Sequence, residues 1–191
     1  MFLLRQPSRE ITLRFIDSQK NRAFSYSQVG ATQAEPPDCF PEGFTVDHNR
    51  IRLGEGKRTY DCAVAALRSW KQFDLGWVIV VPSGLPLEAG TTVAVQARTF
   101  GVWSLSACRI VYVINEEKRF GFAYGTLPDH VEGGEERFTV EWQADDSVWY
   151  DILAFSRPRH PLAKLGKLLV RRWQKQFARE SLAVMLAAAQ P

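Results

Sequence analysis

The residues able to do chemistry in this chain are carboxylates, arginines and tyrosines gathered in its C-terminal half. Glu132, Glu135, Glu136, Asp145, Asp146 and Asp151 crowd into one stretch. Asp151 stands within Val148-Trp149-Tyr150-Asp151-Ile152-Leu153, where ionisation is costly unless the carboxylate is paired. Arg109 and Arg157 are the candidate partners. In a pocket, such an acid–arginine pair orients the polar end of a ligand or tunes a pKa for proton transfer; elsewhere it is a structural ion pair, or Asp151 faces outward. Tyr112, Tyr124, Trp142 and Tyr150 combine ring area with a polar tip, which suits a pocket that grips an amphiphile and equally suits an ordinary core. Arg109, Glu136 and Asp151 are the candidates for a polar pole, and Glu136 or Asp151 for an acid–base group.

Several chemistries lack their signatures. Gly54-Glu55-Gly56-Lys57-Arg58 has neither the upstream glycine and Ser/Thr of a phosphate loop nor the third glycine of a dinucleotide site. His48, His130 and His160 are scattered, with no metal-ligand spacing. Gly-x-Ser-x-Gly is missing. Cys39, Cys62 and Cys108 lie far apart without C-x-x-C, which predicts free thiols in a reducing compartment. No metal or cofactor is expected.

The elements that must position these groups are mostly strands. Residues 77–81 form a nearly continuous apolar run, 91–100 alternates, 103–114 follows, and 115–118 is a polar hairpin loop. In 119–126, Phe120, Phe122 and Tyr124 alternate with Gly121, Ala123 and Gly125. Strands are also predicted over 136–143 and 147–155, the latter apolar on both parities except at Asp151, as in a central strand covered on both faces. Upstream, 44–53 reads as a strand and 59–70 as a helix, with Ala63, Ala66, Leu67 and Trp70 at helical spacing. Ser8 caps a short helix ending near Asn21, 24–29 alternates like a strand, and Pro36, Pro37 and Pro41 mark an irregular linker. Residues 1–43 are thus an extension packed on a main domain of 44–191. Hairpin-length loops imply an antiparallel meander of about seven strands, and one early and one late helix make the class α+β.

The late helix, predicted over 161–189, closes the domain. Leu162, Gly166, Leu169, Val170, Trp173, Phe177 and Val184 share one face; Lys164, Lys167, Arg171, Arg172, Lys175 and Arg179 share the other. Gly166 costs such a helix about 1 kcal/mol relative to alanine, which points to ligand space or to close packing against the sheet. The basic face is either solvated or a surface for acidic lipid, nucleic acid backbone or a protein partner.

The 191 residues, 46% hydrophobic and 24% charged, are enough for one core with an extension. A net charge of +3 is too mild for a nucleic-acid protein, and none is expected as partner. No apolar run approaches the ~18–20 residues of a membrane span, and Met1 to Pro7 has no apolar signal core. A cytoplasmic location is the expectation.

Ordered blocks then carry a resemblance: Leu53-Gly54-Glu55-Gly56, Phe73-Asp74-Leu75-Gly76-Trp77, Arg109-Ile110-Val111-Tyr112-Val113, Gly121-Phe122-Ala123-Tyr124-Gly125-Thr126-Leu127-Pro128, Gly134-Glu135-Glu136-Arg137-Phe138 and Ala154-Phe155-Ser156-Arg157-Pro158. Over nearly its whole length the chain resembles a domain-of-unknown-function family shared by bacteria and plants. The element order, more loosely, resembles the helix-grip superfamily of START-like proteins, polyketide cyclases and birch-allergen-like carriers. That resemblance implies an apolar or amphipathic small molecule held between a curved sheet and the C-terminal helix; the N-terminal extension departs from the plain helix-grip pattern and is a candidate cover for one mouth of the cavity. Candidate ligand-binding residues are Arg109, Tyr112, Tyr124, Glu136, Trp142, Tyr150, Asp151, Arg157, Gly166 and Trp173. A cyclase or dehydratase using a pocket carboxylate for proton transfer is the alternative.

Overall fold

Strand alternation and helix capping are realised in a computed structural model that describes residues 1–33, 40, 42–82, 84–159 and 167–190. The order is β1 (Phe2–Leu3), α1 (Arg9–Gln19), β2 (Thr45–Glu55), α2 (Gly56–Arg68), β3 (Val78–Val81), β4 (Thr92–Thr99), β5 (Val102–Asn115), β6 (Arg119–Thr126), β7 (Glu132–Trp142), β8 (Ser147–Pro158) and α3 (Lys167–Ala188). Short 3-10 turns cover Ala31–Gln33 and Lys71–Phe73. Among the described residues no helix is long and apolar enough to cross a membrane.

The strands form one antiparallel sheet in the order β2-β8-β7-β6-β5-β4-β3. The expected meander runs from β3 to β8, and β2 pairs with β8 at the far edge. The eighth strand is the two-residue β1, which pairs with β5. β8 therefore lies inside the sheet, which explains why both of its parities are apolar. The architecture is α+β, a curved antiparallel sheet gripping a C-terminal helix.

Each strand sends alternate side chains to opposite faces. On the inner face Phe120, Phe122 and Tyr124 of β6 join Phe138, Val140, Val148, Tyr150 and Ile152 in the main core. Ala63, Leu67 and Trp70 cover one part of that face from α2 and its end, and Met185 and Ala189 cover another from the C-terminal end of α3. On the outer face Ile16, Leu13 and Phe15 of α1 pack against Ala94 and Leu105. Ser8 caps α1 as predicted, its hydroxyl accepting from the Ile11 amide.

Some elements differ from expectation. Residues 24–29 form no strand: Tyr26 packs edge-on against Phe155 at 5.6 Å, and the segment touches the sheet through side chains and one backbone bond, from the Ser25 amide to the Thr126 carbonyl. α2 starts at Gly56 rather than 59. β7 starts at Glu132 rather than 136, because the low strand propensity of Gly133-Gly134 hides a place where backbones meet closely. A Cβ built on Gly134 would lie 1.9 Å from the Phe155 carbonyl oxygen. Gly166, Cys39, His160 and the first residues of the predicted closing helix lie outside the described residues.

Candidate functional site

The unequal coverage of the inner face leaves a cavity of about 840 Å³ between the sheet and the first half of α3. That falls within the range of roughly 300–1,000 Å³ usual for small-molecule sites. Its walls are mainly apolar: Phe73, Trp77, Val95, Ala97, Ile152 and Phe177 are among them. Phe100, at the tip of the β4–β5 hairpin, and Trp173 of α3 also line it, with ring centroids 5.5 Å apart. Phe100 is 78% exposed, so this aromatic pair stands at the solvent edge.

The polar pole is built by register. Asp47 of β2, Ala154 of β8, Glu136 of β7 and Tyr124 of β6 sit side by side across four strands. The small Ala154 leaves open the space between the two acids. The Tyr124 hydroxyl donates to Glu136 Oε2 at 2.6 Å. Loss of hydration pushes the Glu136 carboxyl up to about 7; the Tyr124 bond opposes this, and the nearby acids Glu132 and Asp47 add to it. The same burial lifts the Tyr124 phenol well above its ordinary range.

α3 closes the edge of this pole with polar side chains one turn apart. Arg171 forms a two-pronged ion pair with Asp47, the bond to Oδ1 being 2.6 Å. Gln174 donates to both oxygens of Glu132, at 2.9 and 2.8 Å, and to Ser156. Burial raises the Glu132 carboxyl as well. His130, also on the wall, is held down to about 4 by loss of hydration, so its ring is neutral near pH 7.

Of the ten residues singled out in the sequence, Tyr124, Glu136 and Trp173 line this cavity together. Tyr150 faces inward but is fully buried under α3, 3.1 Å from the Ser181 hydroxyl. Trp142 lies toward the other end of β7, packed on Tyr60 and donating to Asp146. Four others belong to the outer side. Arg109 donates to the carbonyls of Gln19 and Lys20, tying down the end of α1. Arg157 stacks on Phe44 at 4.6 Å. Tyr112 exchanges a hydrogen bond with Thr32. Asp151 pairs with His48 and with Arg137 at 3.5 Å, not with Arg109 or Arg157. Gly166 lies outside the described residues.

The N-terminal segment covers this outer face. Its anchor is Glu135, 2% exposed, which accepts from the Tyr26 hydroxyl and the Gly30 amide at 2.7 Å and from the Thr32 amide at 3.0 Å. The Thr32 hydroxyl adds a fourth bond. Gly125 makes room: a Cβ there would lie 2.1 Å from the Tyr26 hydroxyl. The strict large–small alternation of β6 thus reflects two faces with different tenants.

Asp47, Gln174 and His130 are among the polar wall residues that sequence reasoning missed. Asp47 carried a usable signal, since it shares the inner parity of β2 with Asn49, also on the wall. Arg171 was grouped with a basic face, but its partner Asp47 makes it a clamp between helix and sheet; Arg172, Lys175 and Arg179 are exposed.

Comparison with other proteins places the chain among known sequences. Residues 25–184 match the model of a domain of unknown function, DUF1990. The chain is 37% identical to a UPF0548 protein of Dictyostelium discoideum over 206 residues, 98% of this chain and 95% of the relative. It is 36% identical to a UPF0548 protein of Deinococcus radiodurans over 202 residues, 99% of each. A third UPF0548 protein, from Arabidopsis thaliana, is 35% identical over 80% of this chain and 77% of its own. Among solved structures, a hypothetical protein of Helicobacter pylori superposes with a TM-score of 0.54 at 13% identity, over 82% of this chain and 95% of its own. The di-domain ARO/CYC BexL of the BE-7585A biosynthetic pathway gives 0.52 at 16% identity, over 79% of this chain and 52% of its own. At such identities the likeness is one of fold, and the fold is the helix grip.

Proposed function

The chain belongs to the DUF1990 family, and on that footing we propose that its cavity binds an apolar or amphipathic small molecule between the sheet and α3. One observation carries the reading: about 840 Å³ of mainly apolar space has a polar pole at Glu136 and Tyr124. An apolar body fills the space lined by Phe73, Trp77 and Phe177, and a polar end meets the pole. The test is native mass spectrometry of the purified protein, solvent extraction, and titration with the neutral fluorescent lipophile N-phenyl-1-naphthylamine. Saturable binding that Ala154→Leu abolishes is the expected result. A protein that carries no lipophile and binds no probe overturns the proposal.

A second reading is supported by Glu136 itself. A carboxyl near neutrality, donated to by a phenol and open to the cavity, is suited to exchange protons with a bound substrate. A cyclase- or dehydratase-type step would use it as the acid–base group. Glu136→Gln then abolishes turnover of a bound substrate while leaving probe binding intact; unchanged turnover removes the enzymatic reading and leaves the carrier.

A further inference from the structure

The charge of the ligand follows from how the cavity's acids are partnered. Asp47 is neutralised by Arg171 in a two-pronged pair. Glu132 and Glu136 are not neutralised: their hydrogen-bond donors are the Gln174 amide and the Tyr124 hydroxyl, both uncharged. Neither forms an ion pair among the described residues. Glu136 is the more deeply set, and its Oε1 atom has no protein hydrogen bond among the described residues. The carboxylate of Glu135, next along β7, is taken up on the other face by Tyr26, Gly30 and Thr32.

We propose, resting on the ligand-binding reading above, that the cavity takes an amphipathic amine, its ammonium donating to Glu136 and its apolar body lying among Phe73, Trp77 and Phe177. An ammonium supplies the counter-charge that the wall withholds, and a charge-assisted bond in a desolvated pocket is about twice as strong as a neutral one. A carboxylate-headed ligand meets the opposite situation: it brings a third negative charge toward Glu132 and Glu136. Among the described residues the cation that reaches the wall is Lys175, exposed on α3, so an anionic ligand would have to reverse its direction and put its head there.

The groups around Glu136 also determine what happens to its proton. Facing it are Tyr124 of β6 and Tyr150 of β8, both raised far above neutrality, and Cys108 of β5, whose thiol is also held protonated. Asp47 is tied to Arg171, Glu132 to Gln174, and His130 is neutral near pH 7. Glu136 thus titrates near pH 7. An ammonium beside it favours the carboxylate, so amine binding at that pH releases up to about half a proton.

The test displaces N-phenyl-1-naphthylamine with dodecylamine, dodecanol and dodecanoate, each below its micelle threshold, near pH 8. Dodecylamine should compete about tenfold more tightly than dodecanol, with dodecanoate weakest. Glu136→Gln should shrink the amine preference over dodecanol to within about threefold, each competitor being read against the probe affinity of that same variant. A measurement on the wild type alone serves if that variant misfolds: calorimetry near pH 7 in two buffers of different ionisation enthalpy should show proton release with dodecylamine. Dodecanoate binding as tightly as dodecylamine, or proton uptake with the amine, overturns the amine assignment and leaves the cavity reading standing. Failure of the neutral probe to bind overturns both.

Discussion

Replacing Glu136 by glutamine should change how stability depends on pH, by an amount worked from the pole itself. The folded carboxyl stands at about 7 against an ordinary value of 4.5. The folded state therefore binds this proton more tightly than the unfolded chain. Below pH 4.5 both states hold it and the group costs nothing. As pH rises from 4.5 to 7 the unfolded chain ionises first, and stability falls; above 7 the full cost is present. That cost is about 2–3 kcal/mol, the lower figure allowing for water in the cavity. Glutamine has no proton to lose and keeps an oxygen for the Tyr124 hydroxyl. Urea unfolding of wild type and variant at about pH 4.5 and about pH 8.5 checks this. The variant should gain about 2–3 kcal/mol on the wild type between the two conditions. His130, held at about 4, works in the opposite sense, its neutral form favoured by folding as pH rises from 4 to 6.5, but it is common to both proteins and cancels. A difference between the two proteins that stays constant within about 0.5 kcal/mol across that range refutes the argument that Glu136 is a desolvated, unneutralised acid.

Other consequences concern the clamp, the mouth and the outer face. Glu135→Ala strands the Tyr26 hydroxyl and the Gly30 and Thr32 amides, so stability should drop by about 2–4 kcal/mol in chemical denaturation, and proteolysis should first cut near residues 20–33. Gly125→Ala drives a methyl into Tyr26 and should cost about 1–3 kcal/mol by the same assay, whereas the exposed Gly90→Ala change leaves the Tyr26 contact alone and should keep the N-terminal segment protected from protease. Arg171→Ala leaves Asp47 without its cation; the wall gains a third unneutralised acid, and dodecylamine affinity should rise as that of dodecanoate falls in the probe-displacement assay. Trp173→Ala opens the aromatic pair with Phe100, and stopped-flow fluorescence should show a bound lipophile leaving about tenfold faster.

What could be read in advance depended on whether one strand carries its own evidence. β6 does: Phe120, Phe122 and Tyr124 against two glycines and an alanine define a face, and Tyr124 is on the cavity. Glu136 was legible for a related reason, since it follows that parity onto the next strand. Asp151 was not. Its strand is apolar on both parities, so periodicity assigns neither face to the pocket, and the group that occupies its face, Arg137 with His48, comes from elsewhere in the chain. Arg109 and Arg157 looked like partners for an acid because each is a cation beside apolar residues. They are instead used by the end of α1 and by the ring of Phe44, and neither partner can be read from the strand that carries the arginine. Gln174 and Asp47 escaped notice because each acts through a partner on another element.

The adjacent acids of β7 have one more effect. Glu135 and Glu136 are chemically the same side chain with opposite duties, one bonded four times beneath the N-terminal segment and the other nearly bare in the cavity. Sliding β7 by a single residue against β6 and β8 would turn each of its side chains to the other face. In one direction Gly134 would take the place of the anchor and leave its four donors idle; in the other Arg137 would enter the cavity in place of Glu136. The pair is therefore a key that fits the sheet in one alignment, and the same contact that fastens the start of the chain also checks that the cavity is lined by the right half of every strand.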